Sequence, residues 1–217
     1  MIGLRDESLS LANRGLVEPV ANQEERLRLF VAVELPDAWL AALSKLQETL
    51  RSKIEPRSGV RLRWVRPEGT HLTLKFLGEV AASRLPAIED ALQAALSTPP
   101  GVRLSLEGPG LFSNRGQARV LWAGAGGDVV GVTRLAGQID AAMGEIGFEV
   151  ERRPFAPHLT LARVPENVSL AAESVASIIG TVETPAVPEL AIERVSLMRS
   201  HLGRGGARYE RLAAFPG

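Results

Sequence analysis

Two of the three histidines in the chain open the same tetrapeptide, His71-Leu72-Thr73-Leu74 and His158-Leu159-Thr160-Leu161. At ordinary residue usage, the chance that two of three histidines are followed by the same three residues is on the order of one in a thousand. The pair therefore reads as an internal repeat. Side chains alternate along a strand, so in each copy His and Thr share one face and the two leucines share the other. The leucines would anchor the strand in a core and leave the His–Thr face toward a cleft. Two imidazoles in one cleft suit acid–base chemistry near neutral pH. Their unperturbed pKa of about 6.5 lets one be neutral and the other protonated at once. The neutral ring would take a proton from water, the protonated ring would give one to a departing alkoxide, and the apparent pKa values would belong to the pair. Thr73 and Thr160 would donate hydroxyl hydrogens to the non-bridging oxygens of a phosphate as charge builds at phosphorus. This chemistry needs no metal and no cofactor. A single strand histidine is usually a half-buried residue of no chemical role, and a single strand threonine is ordinary filler. Packing, however, does not require the rare pair twice.

The surrounding pattern supplies elements to hold these strands. Arg28 to Leu35 is a β-rich run closed by Pro36. Asp37 is placed to cap a helix whose stripe of Trp39, Leu40, Leu43, Leu46 and Leu50 runs to about Arg51. A short strand begins at Arg63 to Val65, and His71 to Leu77 alternates up to Gly78. Ser83 to Leu96 is a second helical stripe, stopped by Pro99-Pro100-Gly101. Val102 to Leu106 alternates before a turn at Gly108-Pro109-Gly110, and Ala118 to Ala123 suits a buried strand. Asp128 to Ile146 is helical, with Val129, Val132, Leu135, Ile139 and Met143 on one face. Phe148 to Glu151 reads as a short strand, His158 to Arg163 as the second motif strand and Leu170 to Ile179 as a helix. Glu189 to Met198 and Arg208 to Ala214 read as closing strands around a Gly-rich turn, Ser200 to Gly206. Short connections between strand pairs favour an α+β fold with antiparallel or mixed sheets and helices outside. No linker separates independent domains. Residues 27–217 are expected as one domain of two related lobes, roughly 27–110 and 111–217, after a leader over residues 1–26.

Composition narrows the partners. The chain has 217 residues, 45% hydrophobic and 23% charged, an ordinary globular balance. Lys plus Arg and Asp plus Glu are 25 each, so the formal net charge is zero. A protein that coats long nucleic acid usually carries a basic excess; a small basic pocket for one nucleotide or one RNA end remains compatible. With no cysteine, disulfides, thiolate metal sites and cysteine nucleophiles are excluded. No run of about 18 apolar residues suggests a transmembrane helix, and the first residues are too charged for a secretory signal. A cytoplasmic protein and a monomer are the default expectations.

The chain resembles the 2H phosphoesterase superfamily, specifically the bacterial RNA 2′,3′-cyclic phosphodiesterase (2′-5′ RNA ligase) family. The resemblance rests on RLFVAVELP, RWVRPEGTHLTLKFLGEV, RVLWAG, FAPHLTLAR and VSLMRSHLGRGGARYERLAAFP, in that order, from about Arg28 to Pro216. It implies a bilobal α+β fold of two pseudo-symmetric lobes about a central cleft. It also implies opening of a 2′,3′-cyclic phosphate at an RNA 3′ end, or on an oligonucleotide or nucleotide, to a 2′-phosphomonoester. His71 would donate a proton to the leaving 3′ oxygen, His158 would activate water, and Thr73 and Thr160 would hold the phosphate. The same site could run backward as a 2′-5′ ligation of tRNA halves, since the acid and base exchange roles on reversal. Gly69 stands where the family commonly has a larger polar residue, and the leader is extra.

Three further residues are candidates for substrate contact. Arg163 ends the second motif strand; alternation places it on the leucine face, so it reaches phosphate only if the strand twists or ends there. Lys75 has the parity of His71 and Thr73 and could neutralise a substrate. Phe155 could stack on a base or be a core aromatic. Arg152 and Arg153 could line the entrance. Trp64 and Trp122 are expected in the core, and His201, lacking the repeated pattern, is not expected in catalysis. The alternatives are a module that binds a nucleotide or RNA end without turnover, or the same chemistry on 2′-5′ oligoadenylate or an ADP-ribose cyclic phosphate.

Overall fold

A computed structural model describes residues 24–97, 101–203 and 206–216. Within them the order is β1 (Arg26–Glu34), α1 (Asp37–Ser58), β2 (Arg63–Trp64), β3 (His71–Ala81), α2 (Leu85–Ala95), β4 (Arg103–Asn114), β5 (Gln117–Gly127), α3 (Val129–Glu145), β6 (His158–Arg163), α4 (Ala172–Ile179), β7 (Leu190–Ala191), β8 (Arg194–Gly203) and β9 (Gly206–Pro216). The strands join in the order β7-β4-β5-β6-β3-β1-β8-β9, with β2 on β6. Every pairing is antiparallel. The fold is α+β, as the short connections required.

The sheet falls into two halves that touch at one residue pair, Leu72 opposite Leu159. One half is β1, β3, β8 and β9; the other is β2, β4, β5, β6 and β7. The chain does not divide between them at residue 110. β4 belongs to the second half, and the closing strands β8 and β9 return to the first. The reason is the edge of β1, which β3 leaves open on one side: unpaired backbone groups there need a partner, and β8 supplies it from Arg199 to Ser196.

Several boundaries move for local reasons. Pro36, not Asp37, occupies the position before α1. The helix outruns its expected end at Arg51 because fully buried Ile54 continues the apolar stripe. It stops at Gly59, whose left-handed φ of 68° lets its N–H reach the Glu55 carbonyl. β4 passes straight through Gly108-Pro109-Gly110, absorbing them in a register shift between Leu106 and Pro109. The hairpin turn comes instead at Arg115-Gly116, where φ is 49° and 73°, the left-handed pair a tight hairpin needs. β3 continues past Gly78 to Ala81. Phe148 to Glu151 is not a strand: the segment runs beside α3 and is held by Asp140, as described below. The expected leader, apart from residues 24–26, lies outside the described residues, as do Pro99, Pro100, Arg204 and Gly205.

The core lies between the helices and one face of the sheet. Leu72, Leu74, Leu159 and Leu161 all enter it, with Val31, Leu43, Leu50, Leu121 and Ile139. The motif leucines therefore anchor both strands, and the opposite face carries His71, Thr73, His158 and Thr160.

Candidate active site

The pairing of Leu72 with Leu159 sets the geometry of the site. Carried one residue each way in antiparallel register, it places His71 beside Thr160 and Thr73 beside His158. The two His–Thr pairs are thus related by a pseudo-twofold through the leucine pair. All four side chains are half-buried.

Each imidazole is oriented in the same way. His71 Nδ1 lies 2.9 Å from the Gly69 carbonyl oxygen, and His158 Nδ1 lies 2.8 Å from the Ala156 carbonyl oxygen. A carbonyl only accepts, so Nδ1 carries the hydrogen in both rings and Nε2 is left to give or take a proton. The local sequence explains the orientation. Pro67–Gly69 forms a single 3-10 turn before β3, and Pro157 extends the chain before β6. Each device turns a carbonyl back toward the histidine two residues on.

The two rings differ in their surroundings. His71 stacks on Phe30 at 4.6 Å between centroids and meets the edge of Tyr209 at 4.9 Å. Burial in this aromatic sandwich lowers its pKa to about 4, against the smaller upward pull of the Gly69 carbonyl and the Glu34 carboxylate. Glu34 is opposite His71 in the β1–β3 register and is itself held by Ser196 Oγ at 2.8 Å and Arg211 at 2.9 Å. His158 has Phe112 edge-on at 4.9 Å and Trp122 at 6.5 Å.

Both motif strands carry a bulge at the same place. On β3 the partners of Ala32 and Val31 are Thr73 and Lys75, so Leu74 is passed over. On β6 the partners of Trp122 and Leu121 are Thr160 and Ala162, so Leu161 is passed over. A bulge inserts one residue and reverses the alternation after it. The fourth residue after each histidine, expected on the His face, is therefore buried with the core: Lys75 and Ala162. The fifth, expected away from it, turns to the cleft: Phe76, which is 64% exposed, and Arg163.

The expected parity of Lys75 is corrected by this bulge. Its ammonium is held by the Asp140 carboxylate of α3 and the Glu149 carbonyl, with only 7% of the side chain exposed. Asp140 also accepts the Glu151 N–H at 3.2 Å. This cluster ties Glu149 and Glu151 to β3 and α3. Alternation also pointed Arg163 away from the site, and the same bulge turns it toward His71: its charge is felt at Tyr209, the neighbour of that ring. Phe155 is half-buried against the core.

A cavity of about 880 Å³ opens beside His158, with Thr73, Phe76, Phe112, Asp140, Arg153 and Phe155 among its walls. Phe155 thus contributes to both core and cavity. Arg152 also lines it, whereas Trp64 packs against the core with its indole N–H on Glu55. Trp122 is not a core residue. It pairs with Thr160, shares the cleft face, and has its indole N–H buried without a hydrogen-bond partner among the described residues. His201 is bound to Glu210 at 2.8 Å on the β8–β9 ribbon. Sequence reasoning missed Phe30, Tyr209, Phe76 and Phe112; the first two sit in alternating strands and gave no signal apart from ring type. Among the described residues, no three His, Cys, Asp or Glu side chains converge as a metal site would require, and no helix is long and apolar enough to cross a membrane.

The chain is similar to known proteins along most of its length. Residues 33–122 and 130–209 match the family described as LigT like Phosphoesterase. The chain is 31% identical over 192 residues to the RNA 2′,3′-cyclic phosphodiesterase of Methanothermobacter thermautotrophicus, covering 88% of this chain and 98% of that protein. It is 36% identical over 198 residues to the protein of the same name from Thermus thermophilus, covering 87% and 89%. The crystal structure of E. coli LigT complexed with 3′-AMP superposes with a TM-score of 0.63 at 30% identity, over 88% of this chain and 98% of that one.

Proposed function

The chain belongs to the LigT like Phosphoesterase family, and from that premise we propose that it opens the 2′,3′-cyclic phosphate at an RNA 3′ end to a 2′-phosphomonoester. The observation that carries this reading is the matched pair of imidazoles, each pinned at Nδ1 by a backbone carbonyl with Nε2 left for proton transfer. Binding alone would not need two groups prepared in this way. Water attacks phosphorus as the bond to the 3′ oxygen breaks. His158 Nε2 takes the proton from water and His71 gives its Nε2 proton to the departing 3′ oxygen. Thr73 and Thr160, one on each side of the leucine pair, donate to the non-bridging oxygens, and Arg163 adds a fixed positive charge.

Burial favours the neutral form of His71, so its role as donor depends on the substrate bringing the negative charge that restores its affinity for a proton. If the 5′ hydroxyl of a second RNA replaces water, the same pair serves its attack on the cyclic phosphorus: His158 takes the hydroxyl proton, His71 protonates the departing 3′ oxygen, and the product is a 2′-5′ phosphodiester. The cavity beside His158, with Phe76, Phe112 and Phe155 on its walls, has the aromatic surfaces a base stacks on. That a relative is solved in complex with 3′-AMP supports a nucleotide as the kind of ligand.

Hydrolysis of the four nucleoside 2′,3′-cyclic monophosphates and of a cyclic-ended RNA, in EDTA, tests this reading against His71→Ala and His158→Ala. Turnover to the 2′-phosphate should fall by about 10²-fold or more in either variant. A folded wild-type protein that binds nucleotide tightly without turnover would instead be a binding module. Turnover confined to 2′-5′ oligoadenylate or an ADP-ribose cyclic phosphate would move the substrate and leave the chemistry.

A further inference from the structure

The overall charge balance hides a local excess next to the catalytic face. From Arg51 to Arg66 the chain has six cations, Arg51, Lys53, Arg57, Arg61, Arg63 and Arg66, against one acid, Glu55. That acid is engaged: its carboxylate accepts the Leu62 N–H at 3.0 Å and the Trp64 indole N–H at 2.9 Å. Arg51 lies over the Trp64 ring at 5.1 Å. Arg61, Arg63 and Arg66 are exposed, and none of them has a salt-bridge partner among the described residues.

Arg63 has a specific neighbour. β2 pairs with β6 so that Arg63 is directly opposite Arg163. Directly opposed residues on a strand pair share a face, with Cβ atoms about 5 Å apart, and like charges there repel. Arg163 also has no salt-bridge partner among the described residues. Two arginines thus share one face of the β2–β6 pair, and neither has a salt-bridge carboxylate among the described residues. The planar forks of such a pair fit the two non-bridging oxygens of a phosphodiester. Arg66 continues the same line toward the 3-10 turn that orients His71.

On the reading that the cleft opens RNA 2′,3′-cyclic phosphates, we propose that Arg63, beside Arg163, binds the internucleotide phosphate next to the terminal nucleotide, and that Arg61 and Arg66 extend the contact along the chain. The preferred substrate is then an RNA strand and not a free cyclic nucleotide. Net charge zero is no obstacle, because a track of a few phosphates needs only a few cations.

The test compares wild type with Arg63→Gln and with the double variant Arg61→Gln/Arg66→Gln. Each is assayed on a nucleoside 2′,3′-cyclic monophosphate and on a short RNA with the same cyclic end, at low and moderate salt. Arg63→Gln should raise KM for the RNA by about 3- to 10-fold and flatten its salt dependence by about 0.7 in log–log slope, the value for one lost single-strand phosphate contact. Turnover of the mononucleotide should stay within about twofold. An equal loss on both substrates, or no loss on either, would overturn the proposal. If wild type turns over neither substrate, the catalytic reading fails, and titration with 3′-phosphorylated RNA against a nucleoside 3′-phosphate still decides the role of Arg63.

Discussion

Entry of a phosphate into the cleft should raise the proton affinity of His71 steeply. The ring is sandwiched by Phe30 and Tyr209, and this burial holds its pKa down to about 4. A phosphate monoanion about 4 Å from the protonated ring, at an effective dielectric of about 20, contributes roughly 4 kcal/mol, or about three pKa units. That would bring the ring from about 4 to near neutrality, where a proton donor works best. The assay is proton NMR of the imidazole Cε1–H signals over an acid-to-alkaline titration, with and without saturating nucleoside 3′-phosphate. His71→Gln identifies the resonance. A free-state midpoint near 6.5 would show that the aromatic sandwich does not control the ring. A midpoint that stays at about 4 with ligand bound would refute the donor assignment and exchange the roles of His71 and His158.

The same ring links stability to pH. Its folded pKa of about 4 lies below the 6.5 of an unfolded histidine, so the unfolded chain takes the proton first as pH falls. Stability is lost from about pH 6.5 down to about 4, by about 3 kcal/mol in all, and urea unfolding of His71→Gln should lack this component. Asp140→Ala leaves the Lys75 ammonium buried without its partner and should cost about 3–5 kcal/mol in urea unfolding; Lys75→Met combined with Asp140→Leu should recover most of it. Gly110→Ala would put a Cβ 2.3 Å from the Trp122 ring, so a loss of about 1–3 kcal/mol and a shift in tryptophan fluorescence are expected. Phe76→Ala removes an exposed ring, so stability should stay within about 0.5 kcal/mol of wild type while KM for nucleotide rises about tenfold by lost stacking.

Much of this was legible in the sequence, because the relevant signals are local. Anchoring leucines and a His–Thr face follow from strict alternation over four residues, and in both motifs alternation holds that far. It fails at the next residue, where each strand bulges, and strand periodicity contains no mark of a bulge when the inserted residue is a leucine. Simple alternation therefore puts both Lys75 and Arg163 on the face opposite to the one each takes. The lobe boundary at residue 110 failed for a different reason. Which strand covers the open edge of β1 depends on contacts between residues more than 160 positions apart, such as Ser196 with Glu34. Trp122 looked like core because its strand is apolar, yet its large ring is accommodated over Gly110 on the opposite face. The Gly-Pro-Gly sequence around Gly110 reads as a turn, which hides that accommodation.

The doubled bulge has a consequence for strand polarity. A scaffold with twofold symmetry has no intrinsic direction, whereas a ribonucleotide chain has one. Backbone, histidines, threonines and leucines repeat about the Leu72–Leu159 pair, and the first cleft-facing position where the copies differ is the fifth after each histidine. There one copy presents a flat hydrocarbon ring, Phe76, and the other a planar cation, Arg163. Phe76 and Arg163 are thus among the side chains that give a strand its direction across a framework that has none.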